Sequence, residues 1–358
     1  MALSSLQKSY LWLDSFPLER AEKHALIKAA GGVVALVKGF EGVARGLLAK
    51  KAGLYETMRA SLEDGGKYFQ TLTAAMEEQG VSFCCNEDAG YPAAWKCMDA
   101  PPLCVYYQGD VSLLSGRGFA IVGSRRTTES AKKLGKQIAK ELSAQFVILT
   151  GVADGGDEAA AEGALLGSGK VACMLAGGFS SVPAYATLLS NVRQRGLVFS
   201  ACPMDEPVRV YSYESRNRLL AALAQGGLVL GAAQKSGALI TAKYLKEQGK
   251  PIFALPYAPG TAAGAGCNAL IKEGAYLTET AADIFERFGI AAEEKKAEIS
   301  LTDAEEKTLN ALKEKGEAHV NELASLSGIP PFKLLTILSS LEIKGRVAKL
   351  GGNRFSIV

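Results

Sequence analysis

The 358-residue sequence has only two histidines and two tryptophans, and its seven cysteines form no C-x-x-C pair. With so few ligands of that kind, neither a bound metal nor a histidine-based acid–base centre is expected. Cys84, Cys85, Cys97, Cys104, Cys173, Cys202 and Cys267 are odd in number and scattered, so they read as reduced, structural thiols. No run of 18 apolar residues occurs, and Met1 to Lys8 shows no basic segment leading into an apolar stretch. A cytoplasmic chain without a membrane span is therefore expected. Neither G-x-G-x-x-G nor G-x-x-x-x-G-K-[ST] is found, which removes the two commonest glycine-rich phosphate loops and their cofactors. Net charge is small as well, +3 from 40 basic and 37 acidic residues.

What is present is a globular composition, 48% hydrophobic and 22% charged, in a chain too long for a single core. The charge is unevenly placed. Residues 1–116 carry 11 basic and 13 acidic side chains, residues 117–288 carry 19 and 14, and residues 301–358 carry 8 and 7. The basic excess belongs to the middle of the chain, which becomes the candidate for a polyanionic partner. Within it, Arg117 to Lys140 holds seven basic residues against one acid, Glu129.

Apolar periodicity divides the chain into a helical first domain (1–80), a central α/β domain (81–290), a charged linker (291–300) and a small C-terminal domain (301–358). In the first, helices over 10–16, 18–30, 33–49 and 55–79 are broken at Pro17, Gly31-Gly32 and Gly53. Val81 to Cys85 reads as a short strand, and the apolar run between Pro102 and Gly109 as an extended edge strand docking onto the main sheet. Strands are then expected at 118–122, 146–149, 171–175, 197–200, 228–230 and 252–255, separated by stretches of helical length. Such alternation predicts a doubly wound, mostly parallel sheet of extended Rossmann-like type, with ligands beyond the carboxyl ends of its strands.

The residues following those strands should share one crevice. The first strand runs into Gly123-Ser124-Arg125-Arg126, where backbone N–H groups at a helix start are joined by two guanidinium groups. The fifth leads to Lys235-Ser236-Gly237, with Ser236 positioned to cap a helix. Between the fourth and fifth lies Tyr211-Ser212-Tyr213-Glu214-Ser215-Arg216-Asn217-Arg218, expected to open a helix with cations for phosphates and an aromatic ring for a base. Lys243, further along the next helix, is a weaker addition. Asp154, Asp157 and Glu158 have no readable nucleophile or metal beside them and are taken as loop and cap residues, while His24 and His319 are taken as structural.

Gly90-Tyr91-Pro92, Pro101-Pro102, Tyr106-Tyr107-Gln108-Gly109, Ile121 to Arg126, Ser215 to Arg218, Lys235 to Ala242, Gly266 to Ile271 and Gly274-Ala275 occur in an order that resembles the DprA (Smf) DNA-processing family. The resemblance runs from about Tyr91 to Phe288. It implies an α/β core of that family preceded by a SAM-like helical domain. It further implies a homodimer that binds and protects single-stranded DNA and promotes loading of the RecA recombinase in natural transformation and homologous recombination, without a catalytic reaction. Carried over by position, the DNA-binding residues are Gly123, Ser124, Arg125, Arg126, Arg216, Asn217, Arg218, Lys235, Ser236, Gly237 and, less firmly, Lys243. The chain departs from the family pattern at Thr150 to Asp157, where Asp154 replaces a basic residue and Ala161 a histidine, at Gly178-Phe179-Ser180 and Val182-Pro183, and at Gly231.

The tail reads as helices over 302–315, 319–326 and 331–343 followed by a hairpin with a glycine turn. That pattern predicts a winged helix, which also resembles the C-terminal module of many members of the family. Its third helix offers only Lys333 and Lys344, so protein contact competes with duplex binding. The alternative for the whole chain is a nucleotide-acting enzyme on the same sheet, such as a nucleoside monophosphate phosphoribohydrolase. The chain lacks the Pro-Gly-Gly-x-Gly-Thr of those hydrolases.

Overall fold

In the computed structural model the described residues are 3–181, 186–291, 301–343 and 346–357. The linker expected over 291–300, the pair Val182-Pro183 and Lys344 thus lie almost entirely outside them. The chain divides into two compact units, Met1–Ile290 and Ala291–Val358.

Among the described residues nine strands of the first unit form one sheet: β1 (Ser82–Cys85), β2 (Cys104–Gly109), β3 (Gly118–Gly123), β4 (Val147–Thr150), β5 (Val171–Met174), β6 (Leu197–Ser200), β7 (Ala224–Gly231), β8 (Ile252–Ala254) and β9 (Tyr276–Leu277). Their order is β1-β2-β6-β5-β4-β3-β7-β8-β9, parallel from β6 to β9 and antiparallel at β1 and β2. The winding reverses between β3 and β7, so a crevice opens beyond their carboxyl ends. β2 is not the edge, as its proline and glycine punctuation had suggested, because β1 pairs on its outer side. The two-residue β9 is too short to register as a strand in the sequence.

Every residue of β3 to β6 is buried, which is why these strands read as unbroken apolar runs rather than alternating ones. Helices cover both faces. On one side pack α8 (Glu129–Leu142), α9 (Gly156–Leu166), α10 (Ala186–Arg195) and α14 (Ala281–Arg287). On the other lie the short α7 (Ala93–Lys96), α11 (Val210–Leu223), α12 (Ala238–Glu247) and α13 (Ala265–Lys272).

The N-terminal helices are α1 (Ser5–Asp14), α2 (Arg20–Ala30), α3 (Val33–Lys38), α4 (Phe40–Leu47), α5 (Ala52–Glu63) and α6 (Lys67–Glu78). The single helix expected over 33–49 is divided at Gly39, and the one over 55–79 at Gly65 and Gly66, which adopt φ of 70° and 88°. Trp12 centres their core, edge-on to Phe16 and Phe40 at 5.5 and 5.4 Å, with its indole N–H donated to Ser61 Oγ at 2.8 Å. This core is continuous with β1 and β2 through Phe83, Cys104 and Tyr106. The helical segment is thereby fastened to the antiparallel edge of the sheet.

The second unit comprises α15 (Asp303–Lys315), β10 (Glu317–His319), α16 (Val320–Ser327), α17 (Pro331–Ile343), β11 (Val347–Lys349) and β12 (Arg354–Ile357). The expected hairpin gains a third strand, giving the order β10-β12-β11 of a winged helix. Leu312, Leu323, Leu334, Leu338 and Phe355 form its core. Among the described residues no helix is long and apolar enough to cross a membrane.

Candidate nucleic-acid interface

The turn after β3 is made by close backbone approach. Ser124 N donates to Gly231 O at the end of β7 at 2.8 Å, and Gly156 N donates to Ser124 O at 3.3 Å. A Cβ on Gly123 would stand 2.7 Å from Gly156 Cα, so both positions require glycine. Gly155, at φ 90°, sends the chain into α9 beside them. Arg125 and Arg126 project from this turn and are exposed. Thr128 caps α8 by accepting from Ala131 N, so part of that helix start is already satisfied by the protein.

Asp157, in the first turn of α9, ties the turn to α11. Its Oδ1 accepts from Gly123 N at 3.2 Å, and its Oδ2 stands 3.9 Å from Arg216 Nη1. Both side chains are buried. Burial raises the Asp157 pKa above its ordinary value, with Arg216 opposing that rise, and burial lowers that of Arg216. Gly151 makes the crossing possible, since a Cβ there would run into Arg216 Nη1 and Asp157 Oδ2. Asn217, also buried, donates from Nδ2 to Gly237 O at 3.1 Å. The three sequence segments are therefore joined, Gly123 to Asp157 to Arg216, and Asn217 to Gly237.

Within that frame the expected residues take different positions. Arg216, Asn217 and Arg218 do not open their helix. It begins at Val210, where Ser212 Oγ accepts from Arg209 N at 3.0 Å, and this places them in its second and third turns. One turn of helix points Arg216 and Asn217 inward and Arg218 outward. Lys235 is exposed and Ser236 half-buried, and Ser236 Oγ accepts from Ala238 N at 3.3 Å, with Gly237 at the N-cap of α12. Lys243 is 60% exposed on α12, 3.9 Å from Glu247 and over the Tyr244 ring. Among the described residues Arg125, Arg126, Arg218 and Lys235 make no salt bridge.

The basic run after residue 117 is dispersed by the fold. Arg117 lies at the amino end of β3, over the Phe146 ring at 4.9 Å, while Lys132 pairs with Glu129 and Lys136 with Glu162. Sequence reasoning missed the organising role of Asp157. It also missed Arg20, which reaches α11 across 195 positions of chain and left no local signal. His24 meets Pro101 O, and His319 Nδ1 accepts from Asn321 N at the start of α16. Among the described residues no cluster of three or more His, Cys, Asp or Glu is arranged to hold a metal.

The family described as DNA recombination-mediator protein A matches residues 82–289, and the DprA winged helix domain matches residues 292–353. The chain is similar to the putative DNA processing protein DprA of Mycobacterium tuberculosis, 33% identical over 256 residues. The match covers 68% of this chain and 66% of that one, so slightly under two thirds of that relative's length is spanned. Protein Smf of Escherichia coli is 30% identical over 275 residues, with 73% and 74% covered. The DprA structure from Streptococcus pneumoniae shares the fold at a TM-score of 0.64 and 24% identity, covering 80% of this chain and 98% of that one. DNA processing protein A from Helicobacter pylori, described for its single-stranded DNA binding mode, has a TM-score of 0.53 and 28% identity, covering 58% and 95%.

Proposed function

Because the chain belongs to the DNA recombination-mediator protein A (DprA/Smf) family, we propose that the crevice between β3 and β7 binds the backbone of single-stranded DNA. The observation that carries this is the set of four exposed cations that make no salt bridge among the described residues, Arg125, Arg126, Arg218 and Lys235, on segments held together by the Asp157 and Asn217 contacts. Phosphates are the natural counter-ions for such an array, and the exposed rings of Tyr211 and Tyr213 offer stacking faces on the same helix. Ser236 supplies a hydroxyl and Gly237 a backbone N–H, Gly123 and Ser124 shape the turn that presents the two arginines, Arg216 and Asn217 hold the frame, and Lys243 lies further along the path. In the same reading the protein is a cytoplasmic homodimer that shields the strand and passes it to RecA in natural transformation and recombination, acting by binding and not by catalysis.

The test is fluorescence anisotropy of one oligonucleotide as single strand and as duplex across a salt titration. Four phosphates neutralised in a single strand give a log–log slope of about −3, roughly a 50-fold loss between 50 and 200 mM salt. Salt-insensitive binding, or equal affinity for the duplex, would refute the assignment.

A further inference from the structure

At the carboxyl ends of β5 and β6, on the side of the crevice facing the N-terminal helices, lies a cavity of about 530 Å³. Arg20 enters it from the first turn of α2, with Nη2 donating to Ser215 Oγ at 3.4 Å, and Arg216 enters it from α11. Arg216 is only 6% exposed, yet among the described residues its Nε and Nη1 have no hydrogen-bond acceptor, Asp157 being too distant at 3.9 Å to serve. Unmet buried donors on a charged group are expensive, and a ligand oxygen is the usual remedy. The neighbouring cations are already engaged: Lys23 donates to Asp14 at 2.9 Å, Lys51 pairs with Glu22, and Arg209 donates to the Tyr211 hydroxyl at 2.6 Å. Three carboxylates also line the cavity: Asp14, which is taken up by Lys23, the exposed Glu19 and the half-buried Glu206. They leave the buried donors of Arg216 unmet.

The geometry points to a phosphomonoester pocket, in which the Arg20 and Arg216 guanidinium groups and the Ser215 hydroxyl hold a terminal phosphate. Planar guanidinium donors suit an oxyanion better than a point charge does, and burial desolvates both arginines and lowers their pKa. The volume suits one nucleotide, and the 59% exposed ring of Tyr211, which lines the same space, offers a face for its base. A phosphorylated strand end and a free nucleoside monophosphate present the same group. Only the first source rests on the single-strand reading above.

The full chain is tested in two ways: calorimetric titration with dAMP and with deoxyadenosine, and anisotropy with oligonucleotides bearing a 5′-phosphate, a 3′-phosphate or neither. Binding of dAMP but not deoxyadenosine, or about tenfold tighter binding of one phosphorylated end, is expected. The first result assigns a free nucleotide and the second a strand terminus. Arg20→Ala should abolish either effect while unphosphorylated strand still binds as in the native chain, and Arg126→Ala should keep the effect while weakening unphosphorylated strand about fivefold. Arg20→Lys, which keeps the charge without the planar fork, should retain a weakened effect and serves if the alanine variant does not fold. Equal affinity for all ends together with no binding of dAMP overturns the pocket, and so does a preference that survives Arg20→Ala. Binding of dAMP with no strand binding at all would overturn the crevice reading and leave the pocket standing.

Discussion

At the scale of single residues, the Asp157–Arg216 pair decides how the crevice is held. Breaking a buried pair from one side strands the other charge, so Asp157→Ala is expected to destabilise the protein by about 3 kcal/mol in urea unfolding. The pH dependence has a definite sign. Burial raises the Asp157 pKa above its ordinary 3.8, so folding favours the protonated form. This group's contribution to stability is complete below 3.8 and is lost as pH rises through the raised folded value. Asp157→Asn keeps an acceptor for Gly123 N–H and should remove that pH slope, which unfolding curves of the two proteins at several pH values will show. Arg126 and Lys235 are exposed and structurally idle, so changing either to alanine should leave the melting temperature unaltered. Each loss should weaken single-strand binding about fivefold and reduce the salt slope by about 0.7.

At the scale of elements, two glycines of the site serve different purposes. Gly156 packs its Cα against the Gly123 backbone where α9 meets β3, and an added Cβ would collide with main chain. Gly156→Ala should cost about 2 to 3 kcal/mol and weaken strand binding by displacing the Arg125-Arg126 turn, read as a lowered melting temperature with a reduced affinity. Gly237 has open space around it and a φ of −58° at the start of α12. Gly237→Ala should therefore leave stability unchanged or raise it by about 0.5 kcal/mol. If a phosphate approaches that backbone closely, affinity will fall even so, and melting and anisotropy measured together separate the two effects. Legibility at this scale followed length and burial. Strand β6 was readable to the residue, expected and found over 197–200, because its buried apolar run starts just after Gly196, whereas β9 and β10, of two and three residues, carry too few side chains for a period.

At the scale of the whole molecule, the crevice and the cavity beside it belong entirely to the unit ending at Ile290. A fragment of residues 1–290 should fold and bind single-stranded DNA within about threefold of the full chain, since that unit has its own three cores. Circular dichroism and the same anisotropy titration check both halves of that expectation. The helical segment of the first 80 residues is no appendage in this unit, for it supplies Arg20 and much of one wall of the cavity.

By itself the sequence determined the alternation of buried strands and amphipathic helices, the carboxyl-end turns that carry Arg125, Arg126 and Lys235, and the winged-helix pattern of the tail. These are local: an apolar run, a glycine turn and a cap depend on neighbours a few residues away. Only the tertiary structure decided that Arg216 turns inward to Asp157 while Arg218 faces solvent, that Arg117 leaves the basic cluster for the opposite end of β3, and that Arg20 comes to lie beside Ser215. Those outcomes depend on which faces of helices meet across the sheet, and a side chain's fate there is set by partners tens to hundreds of positions away.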